Sequence, residues 1–243
     1  MDTSKTTIIA QLQKDILPLQ GYKTIVNNAV LDVGLGAIKN AFPNNRFPLG
    51  VVHELIYTQP ETAAATGGFV WGILASLMRS GGITIWISAS RTIFPPALAC
   101  FGIAPDKIIF IDLQKEKDIL WAMEEALKCT GLAAVVGEMK ELSFTASRRL
   151  QLAVEQSKVT GFILRNHPGN INTTACITRW KITSLSSELA GGMPGVGFPR
   201  WKVELLKVRN GKPGSWQLEW TGGHFRHIIP TILGVPEQHK KTG

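Results

Sequence analysis

Residues 107–136 read KIIFIDLQKEKDILWAMEEALKCTGLAAVV and contain the strand–helix–strand unit that decides the fold. The segments Lys107–Asp112 and Leu132–Val136 are short, almost continuous apolar runs, as expected of strands buried on both faces. Between them, apolar side chains recur at the spacing of an amphipathic helix, which predicts a helix over Glu116–Lys128. This order predicts two parallel strands joined by a right-handed crossover.

The alternation of strand and helix extends in both directions along the chain. Further buried strands are predicted at Val51–Ile56, Ile83–Ser88 and Gly161–Arg165, and further helices at Phe69–Met78, Pro95–Gly102 and Leu142–Ser157. After residue 166, apolar and polar residues alternate and a hairpin turn is expected, which predicts antiparallel strands at Thr178–Thr183, Trp201–Val208 and Ser215–Trp220. The predicted fold class is α/β, a doubly wound, mainly parallel sheet with an antiparallel C-terminal extension.

The sequence divides into a leader, a core and a tail. Residues 1–46 form the leader, in which Ile8, Leu12 and Ile16 have helical spacing and predict an amphipathic helix. Residues 47–222 form the α/β core, and residues 223–243 form a short tail. Within the core, the glycine-rich segment 191–197 is predicted to be a loop.

Composition excludes several classes of protein. Apolar residues make up 44% and charged residues 18% of the chain, which is ordinary for a globular protein and unlike a disordered one. The apolar runs are well short of the roughly 20 residues that span a bilayer. The N-terminus carries acidic Asp2 where a secretory signal begins with basic residues. We therefore expect a cytoplasmic protein without a membrane segment.

The chain has a net charge of +8, from 26 Lys and Arg against 18 Asp and Glu. This charge permits weak binding to DNA phosphates without demonstrating it, because the same residues could cover a solvated surface. The basic residues that could contact DNA or a protein partner are Arg148, Arg149, Arg165, Arg200 and Lys202. Four tryptophans at strand positions could stack on bases, but core packing is favoured for Trp180, Trp201, Trp216 and Trp220.

No metal site is predicted from the cysteines and histidines. Cys100, Cys129 and Cys176 are far apart in the sequence, form no C-x-x-C pair, and are interpreted as buried, reduced thiols. His53 and Glu54 lie in a predicted strand, and no second histidine follows at the spacing of a helical zinc motif.

Two phrases of the sequence resemble one protein family. Residues 47–55, FPLGVVHEL, and residues 200–216, RWKVELLKVRNGKPGSW, are similar to the opening and closing phrases of ImuA proteins. The order of elements over Leu49–Trp220 also resembles the core of the RecA recombinase and of the SulA proteins. The resemblance implies a RecA-like fold and a place in a bacterial DNA-damage response.

The resemblance also predicts what this chain lacks. ATPases of the RecA type place a loop ending in G-K-[ST] after the first strand, where backbone N–H groups and the lysine hold the phosphates. At that place the expected degenerate loop consists of Gln59, Pro60, Glu61, Thr62, Ala63, Ala64, Ala65 and Thr66. Ala64 and Ala65 stand where the glycine and the lysine would be, so neither the flexibility nor the charge is present.

Two further positions lack the carboxylates of an active family member. Gly137 stands where a magnesium-supporting aspartate would follow the fourth strand. Glu138 is the next residue along the chain, so its side chain would point to the face opposite that of position 137. The segment 88–91, Ser-Ala-Ser-Arg, stands where a water-activating carboxylate would be. We therefore expect no catalytic residue, no bound cofactor and no ATPase activity.

The ImuA resemblance implies a non-catalytic accessory protein of SOS-induced, mutagenic translesion DNA synthesis. Such a protein would contact an ImuB-type homologue of the Y-family polymerases, together with RecA and a DnaE-type polymerase. The main alternative is a SulA-like inhibitor of FtsZ-dependent cell division, although SulA-like chains are usually shorter and lack the closing phrase. A further alternative is a noncanonical ATPase, which nucleotide binding would reveal. Another is a simple DNA-binding module, which salt-dependent binding to DNA would reveal.

Overall fold

The computed structural model describes residues 33–90, 93–166, 168–169, 171–188 and 197–228, apart from the side chain of Ser80. The strands in these segments are β1 Val52–Tyr57, β2 Ile83–Ser88, β3 Ile108–Asp112, β4 Leu132–Met139, β5 Thr160–Asn166, β6 Thr178–Leu185, β7 Arg200–Val208, β8 Gly214–Thr221 and β9 His224–His227. The α-helices are α1 Pro60–Leu77, α2 Glu116–Leu127 and α3 Phe144–Ser157. A 3₁₀ helix spans Pro95–Phe101, where the sequence predicts a helix.

The strands form one sheet in the order β3-β2-β4-β5-β1-β6-β7-β8-β9. The strands from β3 to β6 in this order pair in parallel, and β7, β8 and β9 continue the sheet in antiparallel fashion. Helix α1 packs Phe69 and Leu74 on one face, whereas α2 and α3 pack Met123 and Leu150 on the other. The predicted fold class is confirmed, because helices cover both faces of the parallel strands.

The sheet and its core extend beyond the predicted core boundaries at both ends. Val33, Leu35 and Phe42 are buried in the same core as α1. Strand β9 pairs with β8 beyond residue 222, because the turn at Gly222-Gly223 returns the chain along the sheet edge. The predicted leader helix, the glycine-rich segment 191–196 and the end of the tail lie outside the described residues.

Three of the four tryptophans are in the core as predicted. Trp180, Trp201 and Trp220 are between 1% and 5% exposed, and Trp216 packs against the same core from a half-buried position. The prediction of three buried thiols is right only for the third, Cys176. Cys100 lies near the end of the Pro95–Phe101 helix and Cys129 in the turn after α2, and both are exposed. No described helix has the length and apolar character needed to cross a bilayer.

Two glycines of α1 should respond in opposite ways to alanine. A Cβ at Gly72 would collide with ring atoms of Phe225 and Trp220, so Gly72→Ala should destabilise the fold by about 1–3 kcal/mol. At Gly67, the nearest atom to a new Cβ is Trp71 Nε1 at 3.9 Å, so Gly67→Ala should stabilise it by about 0.5–1 kcal/mol. Urea unfolding measures both, and equal effects would contradict the packing of β8 and β9 on α1.

Candidate binding cleft

A cleft of about 970 Å³ opens at the carboxyl edge of the parallel strands. This edge is where doubly wound proteins bind their ligands. The floor is formed by the ends of β1, β4 and β5, and one wall by the first turns of α1. The other wall contains the Pro95–Phe101 helix and residues 197–201, which lead into β7. The cleft therefore lies where a RecA-type ATPase would hold its nucleotide.

The segment predicted to be a degenerate phosphate loop is the start of helix α1. Gln59 is the N-cap and Pro60 the first helical residue. The Thr62 hydroxyl donates to the Gln59 carbonyl at 2.7 Å and accepts the Gln59 N–H at 3.0 Å, a contact typical of a capped first turn. The loop prediction is wrong because proline at the first helical position and the following alanines all favour a helix.

The side chains of the two residues after Ala64, Ala65 and Thr66, are buried. Ala65, at the place of the phosphate-binding lysine, is only 4% exposed. The Thr66 hydroxyl, at the place of the metal-binding hydroxyl, is fully buried and donates to the Thr62 carbonyl at 2.6 Å. The Thr66 hydroxyl is therefore used within helix α1.

Glu138 faces the cleft, and Gly137 faces away from it. Val136 belongs to the core under α1, whereas Val135 belongs to the core under α2 and α3. Residue 138 follows Val136 in this alternation, and a Cβ at Gly137 would meet Met123 Sδ at 2.6 Å on the far side. As the strand alternation predicts, Glu138 points to the face opposite Gly137, but this is the cleft face, because Gly137 lies on the face covered by α2.

Glu138 sits among aromatic rings on the cleft floor. Its Oε1 accepts the Trp86 indole N–H at 2.6 Å, and Trp86 stacks on Trp71 with ring centroids 4.3 Å apart. Burial raises the pKa of Glu138, and burial together with the nearby Glu138 carboxylate raises the pKa of Tyr57. We call these four residues, Tyr57, Trp71, Trp86 and Glu138, the Glu138 pocket.

The described lining of the cleft is acidic rather than basic. Besides Glu138 it contains Glu61, and its one described cation is Arg200. Arg200 Nη1 lies 2.9 Å from a Glu188 oxygen and its Nε donates to Glu219 at 2.7 Å. Its positive charge is therefore already matched by carboxylates.

Two exposed phenylalanines stand at the mouth of the cleft. Phe94 is 70% exposed and Phe198 is 53% exposed, and both belong to its lining. At these exposures both side chains can contact a ligand or a partner in the cleft. Sequence reasoning did not single out either residue, because each lies in a loop without a periodic pattern.

The five basic residues predicted to contact a partner do not form one surface. Arg148 and Arg149 are exposed on α3, and Lys202 is partly exposed on β7. Arg200 lines the cleft in the ion pairs described above. Arg165 is completely buried and donates to Glu54 at 2.8 Å. The prediction that Arg165 contacts a partner is wrong, because its guanidinium is used inside the protein.

Two further predictions concern the segment after β2 and the metal site. After β2, the Ser88 hydroxyl donates to the Ser90 carbonyl at 3.2 Å, and Arg91 lies outside the described residues. Within the described part of the chain, no three His, Cys, Asp or Glu side chains come together as a metal-binding group.

Comparison with known proteins identifies relatives at the level of sequence. The chain is 34% identical over 211 residues to Protein ImuA of Caulobacter vibrioides, an alignment that spans 82% of this chain and 86% of that protein. It is 27% identical over 146 residues to the cell division inhibitor SulA of Photorhabdus laumondii, spanning 57% of this chain and 82% of that one. No family model matches the chain.

Comparison of structures gives the fold. The crystal structure of the RadB recombinase superposes with a TM-score of 0.57 at 13% identity, covering 82% of this chain and 100% of that one. The architecture is therefore RecA-like. With this fold and a relative 34% identical across most of both chains, the chain belongs to the ImuA family.

Proposed function

We propose that this protein is a cytoplasmic, non-catalytic accessory factor of SOS-induced mutagenic translesion synthesis. In this role it contacts an ImuB-type homologue of the Y-family polymerases, and also RecA and a DnaE-type polymerase. Membership of the ImuA family supports the place in damage-induced mutagenesis. The observation that carries the non-catalytic part of the proposal is the capped start of α1 where an ATPase has its phosphate loop.

A magnesium nucleotide does not fit the described residues of the cleft. Phosphates need unpaired N–H groups and a nearby cation. Here the Gln59 and Ala63 N–H groups are already bonded, to the Thr62 hydroxyl and to the Gln59 carbonyl. The charged side chain on the cleft floor is the Glu138 carboxylate, which would repel a triphosphate.

Restoring the missing glycine and lysine should therefore not restore nucleotide binding. We expect no measurable heat when ATP and Mg²⁺ are titrated into the wild-type protein, and none for Ala64→Gly/Ala65→Lys. A lysine at buried position 65 should also lower the melting temperature, whereas Ala64→Lys, at an exposed position, should leave it nearly unchanged. Calorimetry and thermal melting test both points, and a micromolar Kd for ATP in either protein would contradict the proposal.

Partner capture tests the biological part of the proposal. The purified full chain is immobilised and incubated with the ImuB-type homologue or with RecA from the same organism. We expect retention of at least the ImuB-type protein, and loss of damage-induced mutations in a strain that lacks this gene. Retention of neither protein, with an unchanged mutation frequency, would refute the proposed function.

We further propose that Arg148, Arg149 and Lys202 add weak binding to DNA. Their side chains are between 44% and 59% exposed, so they can reach phosphates despite their ion pairs with Glu155, Glu124 and Glu204. Such binding should weaken steeply as salt increases, because it releases counterions. Anisotropy of a labelled oligonucleotide measures this, and an affinity that does not change with salt would contradict it.

The similarity to SulA supports a second candidate function, inhibition of FtsZ-dependent division. Overexpression in the native host separates the two candidates. Filamentous cells would favour the division inhibitor. Normal division combined with altered damage-induced mutation would favour the translesion role.

A further inference from the structure

We propose that the Glu138 pocket binds a lysine or arginine side chain of a protein partner, and that apolar neighbours of that residue rest on Phe94 and Phe198. The inference rests on the proposed function in one respect, namely that the protein acts through protein contacts. It adds the place of one such contact and the chemistry of the partner segment.

The Glu138 carboxylate is placed to receive a cation. Its Oε1 is held by the Trp86 N–H at 2.6 Å, which fixes the orientation of the group on the cleft floor. The described residues supply no lysine or arginine partner for it, and burial raises its pKa. A charged donor from outside would form a charge-assisted hydrogen bond, which is stronger than a neutral one.

The surrounding rings favour the same kind of ligand. Tyr57, Trp71 and Trp86 line the cleft together with Glu138. Aromatic faces attract ammonium and guanidinium groups, most strongly where water is excluded, and tryptophan is the best of the three aromatic residues for this purpose. Trp71 and Trp86 stack on each other and are only 5% and 2% exposed, so they form a rigid, largely buried part of the cleft wall beside Glu138.

The mouth of the cleft suits a polypeptide rather than a small cation. Phe94 and Phe198 are largely exposed, and Ile93 and Leu185 continue the apolar lining beside them. Covering these side chains with apolar residues of a partner would remove them from water, which is the main favourable term in protein association. A lone amine would leave this surface uncovered.

Electrostatics favours a basic segment over a nucleic acid or a nucleotide. The acidic side chains in the described lining are Glu61 and Glu138, and the charge of Arg200 is matched by Glu188 and Glu219. An anionic ligand would meet an unfavourable potential in this cleft, whereas a cationic one would be attracted into it.

Peptide selection tests the inference without assuming a partner. Random heptapeptides on phage are selected on the immobilised full chain and counter-selected on Glu138→Gln. We expect enriched peptides to carry a lysine or arginine next to apolar residues. A synthetic peptide of this kind should bind Glu138→Gln about tenfold more weakly, as expected for the loss of one charged hydrogen bond. Glu61→Gln, at the exposed edge of the cleft, is the matched control and should change the affinity less.

Three results would overturn the inference: selection of peptides without a basic residue, no enrichment relative to Glu138→Gln, or equal affinities of the peptide for the wild type and the variant. Thermal melting confirms that Glu138→Gln is folded. Phe94→Ser/Phe198→Ser provides a second variant, because both side chains are exposed and the change should weaken peptide binding without affecting the fold.

Partner capture distinguishes failure of this inference from failure of the proposed function. If the ImuB-type protein or RecA is retained equally by the wild type and by both variants, the pocket is not the contact, although the proposed function stands. If the wild type retains neither protein but the selected basic peptide binds through Glu138, the pocket is right and the proposed partners are wrong.

Discussion

Arg165→Met should lower the free energy of unfolding by about 3–5 kcal/mol, the usual cost of removing one partner from a buried ion pair. Arg165 Nη1 donates to Glu54 Oε1 at 2.8 Å, and neither side chain is exposed. Methionine fills a similar volume but leaves Oε1 without its charged donor, while Thr174 and Arg179 remain on Oε2 at 2.8 Å each. Urea unfolding followed by circular dichroism measures the loss.

A surface ion pair of similar geometry provides the control. Arg149 Nη2 lies 2.6 Å from a Glu124 oxygen, but the Arg149 side chain is 59% exposed. Arg149→Met should therefore cost less than about 1 kcal/mol, because water and salt screen the pair. Equal losses for the two variants would contradict the conclusion that burial makes the Glu54–Arg165 pair important.

A double-mutant cycle tests whether the two groups act together. Glu54→Leu/Arg165→Met removes both charges and should be less destabilised than the sum of the single variants. The pair joins β1 to β5 just inside the carboxyl edge of the sheet, and Asn166, the next residue of β5, already lines the cleft. Loss of Arg165 should therefore also disturb the cleft floor.

The sheet was predictable because its parallel strands carry a local signal. Apolar runs such as Ile83–Ser88 are required of any strand covered on both faces, and this prediction matches β2 residue for residue. The amphipathic spacing of Glu116–Lys128 likewise places α2 to within one residue. In both segments the pattern that the chain needs for burial is contained in a few consecutive residues.

The start of α1 was mispredicted although its local signal was clear. A proline followed by Thr62 and three alanines, Ala63, Ala64 and Ala65, is typical of a helix N-terminus. The resemblance to RecA-type ATPases placed a loop on this segment instead. The loop of an ATPase needs glycines to leave the helical conformation, and without them the helix extends back to Pro60.

The orientation of the Glu138 side chain is set by pairing between strands, which a local sequence pattern does not reveal. Gly137 looks like the end of a strand, yet it pairs with Ile87 on one side and with Ile163 on the other. These neighbours carry β4 on to Met139. The Glu54–Arg165 pair is equally invisible in the sequence, because the two residues are 111 positions apart.

His53 is a second buried polar group with a large expected effect. Its ring is stacked between Phe47 and Phe162, with centroids 4.5 and 5.2 Å away. Nε2–H donates to the Pro48 carbonyl at 3.0 Å, and Nδ1 accepts the Thr178 hydroxyl at 2.7 Å. This pattern of one donor and one acceptor fits the neutral ring. Burial lowers the pKa of His53 from 6.5 to about 3, and the bond to Pro48 offsets this only in part.

The lowered pKa should make the fold sensitive to acid. Between about pH 6.5 and pH 3 the unfolded chain binds a proton at His53 that the folded protein does not bind. Stability should therefore fall as pH falls through this window, by up to about 1.4 kcal/mol per pH unit, and His53 should contribute no slope above it. Urea unfolding at several values between pH 5 and pH 7.5 measures the slope.

The variant His53→Gln can hydrogen-bond but cannot titrate, so the difference in slope between wild type and variant isolates the histidine. The raised pKa of Glu138 acts in the opposite direction, because its folded form retains a proton as pH rises past the unfolded value. This contribution is present in both proteins and cancels in the difference. Identical slopes for wild type and His53→Gln would show that the buried ring accepts a proton in the folded state.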